Sequence, residues 1–362
     1  MNSQAQAQCG KKPSRHAAAL VIVMVLVLAM AVVAGAFAYA MKVEARLAMN
    51  TRSGPQLEWL GRSGVEMAKW ILQQQRAIPG EGMYDGLNQF WAGGPGPIDS
   101  ADNPYMGLNL SNIRIGEGDI ALQIIDLERR ININTAPEPL LELAFQLLGS
   151  GAGEASLIAA AIMDWRDRDD MESAKGGAEQ GYYAALNPPY APKNGPIDDL
   201  SELLRVRGIS PGLYWGDRAS GFQGSRRART SPGEIVTAVA PDLTGAGCVD
   251  VFTSISSSRV NVNTAPLAVL RVLLGGDEGL ARQIIERRAG PDGQEGTLDD
   301  TPFRNLAEIP GAGMNQGNVF GIQSTVFEVH VEARLGSAKG RYVGILRRGA
   351  NREGQVMLFH SE

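Results

Sequence analysis

Four aspartates crowd into seven residues at Asp164, Asp167, Asp169 and Asp170, and Glu172 and Glu179 follow them across a Gly176-Gly177 turn. Carboxylates this close repel one another unless something compensates. Arg166 and Arg168 can do some of that and water the rest, which makes a solvated acidic loop the plain reading. The sharper reading is a calcium site, because Ca²⁺ takes about six to eight oxygen ligands, carboxylates and carbonyls, from flexible loops. The spacing is not that of an EF-hand, which needs Gly at its sixth position and Glu at its twelfth. A second, weaker candidate is Asp292, Asp299 and Asp300, which flank a Gly-rich turn.

Other chemistry finds little support. The three histidines are His16, His330 and His360, far apart in the chain, and no nucleophile–His–acid arrangement can be assembled from them. No phosphate-binding Gly loop is present. The two cysteines, Cys9 and Cys248, lie on either side of a long apolar segment. If that segment spans a membrane they cannot pair, which removes a disulfide framework and a thiolate zinc site. A net charge of −5 argues against a chain built to hold nucleic acid. The segments Val206–Ser210 and Ile309–Gly313 do resemble helix-hairpin-helix turns, whose N–H groups hold a phosphate. The one basic cluster, Arg226, Arg227 and Arg229, sits in a Gly/Ser-rich loop, so a nucleic-acid partner is the lesser alternative.

These residues have to be positioned by something, and the chain divides clearly. Ala17 to Ala40 is free of charge and includes Ala18, Leu20 and Ile22. It reaches the roughly 20 apolar residues that cross a bilayer as helix. It exceeds the ~7–15-residue apolar region of a cleaved signal peptide, leaving a signal anchor or a pilin-like helix. Lys11, Lys12 and Arg15 place the short N-terminus in the cytoplasm. Leu57, Leu60, Gly64, Met67, Ala68 and Ile71 then recur at helical spacing, with Gly54-Pro55 expected to kink or break the helix. Residues 79–118 read as loop. Ile120, Leu122, Ile124 and Asp126 alternate as one face of a strand that opens a hairpin.

An internal repeat follows. Arg130–Leu141 (RININTAPEPLL) returns as Arg259–Leu270 (RVNVNTAPLAVL), offset by 129 residues. In each copy alternating Asn residues satisfy backbone groups as a strand ends, Thr135 or Thr264 is expected as N-cap, and helices come after. Each unit closes in a leucine-led segment and a glycine. The chain ends in a hairpin, Thr325–Ala333 against Arg341–Arg347 across a turn at Gly336–Gly340, then a short strand at Gln355–Phe359.

Together these features resemble the type II secretion minor pseudopilin K family (general secretion pathway protein K). The most specific stretch is residues 164–214: the Asp-rich loop, then GAEQGYY, PPY, NGP and SELLRVRGISPGLY. The resemblance implies an α+β, pilin-like fold, with a long N-terminal membrane and amphipathic helix packed on an antiparallel sheet. An all-helical, SAM-like or helix-hairpin-helix-like domain is inserted in it. The expected divisions are a basic prepilin leader (1–17), the helix (18–78), the opening segment of the pilin-like sheet (79–134), the inserted domain (135–256), a second helical unit (257–315) and the closing segment of the sheet (316–362).

The implied role is non-enzymatic: capping or initiating a pseudopilus tip at the bacterial inner membrane, with the large domain in the periplasm. The implied partners are the I- and J-type minor pseudopilins, the major pseudopilin, the inner-membrane assembly platform and prepilin peptidase. The resemblance also implies structural calcium, on ligands drawn from Asp164, Asp167, Asp169, Asp170 and Glu179, and cleavage between Ala17 and Ala18. The cleavage position departs from the family, where a Gly is usual. Ile22 stands where major pilins carry Glu, which suits a tip subunit. A plain anchored periplasmic scaffold is the other alternative.

Overall fold

The computed structural model describes residues 15–96, 104–217, 245–310, 319–349 and 354–362. Helix α1 runs Arg15–Gln75, with Pro55 inside it. The helical backbone is therefore not ended at Gly54-Pro55, contrary to the break the dipeptide suggests. The chain divides into two compact units, 1–57 and 58–362. In the first, the span Ala19–Leu47 contains an 18-residue window of mean hydropathy 3.0, none of it buried within the protein, as a span meant for another medium requires.

The second unit holds a five-stranded antiparallel sheet in the order β1-β2-β7-β8-β9. Its strands are β1 (Ile113–Ile115), β2 (Gly118–Asp126), β7 (Val326–Leu335), β8 (Ala338–Arg348) and β9 (Gly354–Ser361). Ile120, Leu122, Ile124 and Asp126 are all buried on one face of β2, as the alternation predicts. The hairpin, however, forms with the preceding β1, inside the stretch expected to be loop, while β2's other edge takes β7. The terminal hairpin is tighter than expected. Leu335 pairs with Ala338, and Gly336, at φ 57°, supplies the left-handed residue of a two-residue turn.

The residues of α1 from Leu60 to Leu72 pack on this sheet through Leu60, Val65, Ala68, Ile71 and Leu72, all buried. Glycines let the backbones approach: a Cβ on Gly64 would lie 2.6 Å from Val331 Cγ1, and one on Gly61 2.4 Å from Tyr342 Cδ2.

Between β2 and β7 lies the inserted domain. It holds α2 (Glu138–Leu147), α3 (Ala152–Arg166), α4 (Gln180–Ala184), α5 (Pro211–Trp215), α6 (Cys248–Val251), α7 (Leu267–Leu273) and α8 (Glu278–Arg288). It is not all helix. β3 (Ile131–Asn132) pairs in parallel with β4 (Phe252–Thr253), and β5 (Val260–Asn261) with β6 (Phe320–Gly321). One apolar cluster runs from Ile131 to Phe320 and takes in both repeat copies. The second helical unit thus belongs to the inserted domain rather than standing apart.

The repeat is structural as well as sequential. Asn132 Oδ1 accepts from Asn134 N–H and Asn261 Oδ1 from Asn263 N–H, at 2.8 and 3.0 Å. Arg166 donates to the Ile133 carbonyl, and Arg288 donates to the equivalent Val262 carbonyl. Thr135 and Thr264 are not the N-caps that the sequence suggests. α2 and α7 begin after Pro137 and Pro266, which cap without a side-chain bond, so Thr135 and Thr264 lie just upstream. Thr264 is used otherwise, donating to Asp126 Oδ2 at 2.6 Å.

Candidate metal centre

The acidic loop is held at one end by the last turn of α3 and at the other by the start of α4. Asp164 still belongs to α3 and is wholly buried. Its carboxylate accepts from Ser173 N–H at 3.2 Å and from the Ser173 hydroxyl, pinning the loop as it turns back. A Cβ on Gly177 would come within 1.8 Å of Asp164 Oδ2, so only glycine passes there. The two chain ends are thereby brought face to face.

Asp167, Asp169 and Glu179 each place a carboxylate oxygen within 4.8 Å of the others, the one such cluster among the described residues. Glu179 is 3% exposed. Both of its carboxylate oxygens, Asp167 Oδ1 and Asn194 Oδ1 are buried without any hydrogen-bond donor. A buried acceptor left unpaired costs about 1–3 kcal/mol, and more when charged. Burial, then the charges of Asp164, Asp167, Asp170 and Asp169, push the Glu179 carboxyl up to about 7. Burial, then Asp169 and Asp164, raise Asp167 as well. Every unsatisfied atom here is an oxygen, and a hard cation is the partner such a donor set fits.

Of the five residues singled out in the sequence, three converge. Asp170 stands beside them, its Oδ1 taking Asn194 Nδ2 at 2.9 Å, while Asp164 braces the loop behind. Arg166 acts on the loop only through its charge, which favours the ionised Asp167, and makes its hydrogen bonds elsewhere. It turns back to the carbonyls of Ile133 and Ala136. Asn194 joins the site without a signal among the acidic residues. Its φ of 46° and the Asn-Gly pair mark a turn, and it also donates to the Asp169 carbonyl at 3.0 Å.

The second candidate is built differently. Asp299 Oδ2 accepts from Asp292 N–H at 2.9 Å, Asp292 Oδ1 from Gln294 N–H at 2.7 Å, and Asp300 Oδ2 from Gly296 N–H at 2.8 Å. These carboxylates are occupied by their own loop and do not gather into a ligand cluster. The Val206–Ser210 turn is likewise used internally. Gly208, at φ 86°, lies against Ile158, and Ser210 Oγ accepts from Leu213 N–H at 3.1 Å. Arg226, Arg227, Arg229 and Gly311–Gly313 lie outside the described residues, as does most of the leader.

An apolar N-terminal helix followed by an antiparallel sheet packed against one helix is the architecture of a pilin-like subunit, here carrying an inserted, mainly helical domain. Residues 108–215 match the family model for type II secretion system protein K. The chain is similar to the type II secretion system protein K of Pectobacterium carotovorum, at 32% identity over 45% of this chain and 48% of that one. The corresponding protein of Aeromonas hydrophila is 26% identical over 85% of this chain and 86% of its own. A chain of the GspK–GspI–GspJ complex from enterotoxigenic Escherichia coli shares the fold, with TM-score 0.60 and 16% identity over 87% of this chain and 99% of its own. Residues 108–215 carry the protein K family model, and most of the remaining chain is similar to relatives of the same name.

Proposed function

We propose that the chain is a minor pseudopilin that caps or initiates the pseudopilus of a type II secretion system, and that it acts by assembly rather than by catalysis. The observation that carries this reading is the joining of two features in one chain. An apolar helical span within Ala19–Leu47, on which nothing packs among the described residues, precedes a sheet and inserted domain similar to protein K. Such a helix needs either lipid or other helices around it. A subunit that waits in the inner membrane and then joins a filament meets both in turn.

On this reading the short N-terminus is cytoplasmic and the domain periplasmic. Prepilin peptidase cuts between Ala17 and Ala18. The I- and J-type minor pseudopilins, the major pseudopilin and the assembly platform are the partners. The solved neighbour was crystallised as a complex with GspI and GspJ, which supports the first two. Co-purification of the detergent-solubilised chain with the I- and J-type subunits of the same secretion system tests the reading, and failure to bind either overturns it.

Calcium is the ion we assign to Asp167, Asp169 and Glu179, with Asp170 and the Asn194 side-chain oxygen alongside. Its role is structural, since the ion neutralises carboxylates that otherwise repel inside the domain. A ligand that binds only the folded state at a hundred times its Kd stabilises by about 2.7 kcal/mol. Chelation with EDTA should therefore lower the melting temperature by several degrees, and an unchanged value removes calcium from the account.

A further inference from the structure

The inserted domain's apolar cluster contains no side chain of the five-stranded sheet. At the seam between the two bodies lies a buried polar node. Asp126, the last residue of β2, accepts on Oδ2 from Asn261 Nδ2 at 3.1 Å, Thr264 Oγ1 at 2.6 Å and Ser324 Oγ at 2.6 Å. Its Oδ1 accepts from Glu128 N–H at 2.8 Å. Asn261 Nδ2 also donates to the Asp85 carbonyl at 3.0 Å, and Ser324 N–H to Asp85 Oδ2 at 2.7 Å. Arg348, at the end of β8, pairs with Asp85 and donates to the Ser324 carbonyl. All six residues are buried.

The six come from five places: the loop after α1, the end of β2, the second repeat junction, the chain's return to the sheet and the end of β8. The two repeat copies differ here in a telling way. In the first copy the equivalents stay within the inserted domain, Asn132 Nδ2 donating to the Ser256 carbonyl and Thr135 Oγ1 to the Asn132 carbonyl. Only the second copy turns its Asn and Thr onto a sheet carboxylate.

We propose that the Asp126 node is a latch: it fixes the direction in which the inserted domain stands on the sheet, a task the second copy of the repeat has taken on. A buried carboxylate with donors on both oxygens, as Asp126 has, tolerates one geometry and few others, whereas apolar contact alone permits sliding. Asp126 is thus a positioning residue, holding the domain through Asn261, Thr264 and Ser324. The proposal does not depend on which partners the chain has.

Spin labels at Glu154→Cys on α3 and Lys339→Cys on β8, both exposed sites, read the relation directly in the detergent-solubilised full chain with Cys9→Ser. Cys248 is buried and stays. The unaltered node should give one narrow distance distribution by pulsed electron resonance. Asp126→Ala should at least double its width while circular dichroism stays unchanged. Should Asp126→Ala fail to fold, the isosteric Thr264→Val decides, with a smaller broadening expected. A broad distribution in the parent, or an unaltered narrow one in a folded variant, overturns the latch. A merely stabilising role would lower the melting temperature and leave the width alone.

Discussion

Asn263 grips Phe303 at both ends of its backbone, accepting from its N–H at 2.8 Å and donating to its carbonyl at 3.0 Å. Asn134 does the same to Ile197, at 2.8 and 2.9 Å. In each copy the gripped residue lies three positions before the 3₁₀ turn that closes the unit, at Leu200 or Leu306. The second Asn of each Asn-x-Asn pair is thus a clamp between the start and the end of its unit. Asn263→Ala would leave two buried backbone groups unpaired, at a cost on the order of 3 kcal/mol. Asn134→Ala should cost less, because Asn134 is only half-buried. Urea midpoints of the two variants check both the size and the order.

Helix α1 meets the sheet at van der Waals contact with no room for a methyl at Gly64. Gly64→Val should destabilise by about 1–3 kcal/mol through overpacking, despite valine's better helix propensity. Gly54→Ala is the control. An added Cβ there meets nothing within 4 Å, so the substitution should be neutral or gain up to about 1 kcal/mol. Thermal unfolding of the two variants against the parent separates a seating glycine from an incidental one.

Cleavage at the head of the apolar helix should give a mature chain beginning at Ala18. Intact-mass measurement of protein purified from cells that carry prepilin peptidase reads this directly. Ala17→Asp, which puts a charge at the cut, should leave the leader attached.

How much of this the sequence reveals depends on how local the cause is. The apolar span, the β2 alternation and the helices after each Asn-x-Asn-Thr-Ala junction follow from spacing within a dozen residues, and they stand where the pattern puts them. β1 does not show, because the alternation of Ile113, Arg114 and Ile115 is only three residues long within a Gly- and Asn-rich stretch, and the strand is held by its pairing with β2. The acidic loop shows as composition. Which carboxylates converge is decided by Ser173 holding Asp164 and by Gly177 letting the chain pass, contacts that no periodicity encodes. The hydrogen bonds of Arg166 are hidden for the same reason: its place in the acidic run suggests charge compensation alone, yet carbonyls some 30 residues upstream take its N–H groups. The Asp126 node joins residues as much as 263 positions apart, between Asp85 and Arg348, beyond the reach of any motif.

Glu179 makes the metal centre testable by pH. Its carboxyl, ordinarily near 4.5, is raised to about 7 in the metal-free fold. A group raised in the folded state contributes stability that is fully present below its unfolded value and is lost as pH rises through its folded one. The metal-free protein should therefore melt at a lower temperature at about pH 8 than at about pH 5, with most of the change near 7, and Asp167 acts in the same direction. Calcium requires the ionised carboxylates, so it should restore the loss, and its effect on melting should grow across the same range with protons released on binding. Glu179→Gln keeps the shape and removes the charge. That variant should flatten the pH dependence, melt higher than the parent in EDTA at about pH 8, and no longer respond to calcium. Calorimetric titration of calcium in two buffers of different ionisation enthalpy counts the protons, and a count of zero near pH 7 would remove Glu179 from the ligand set.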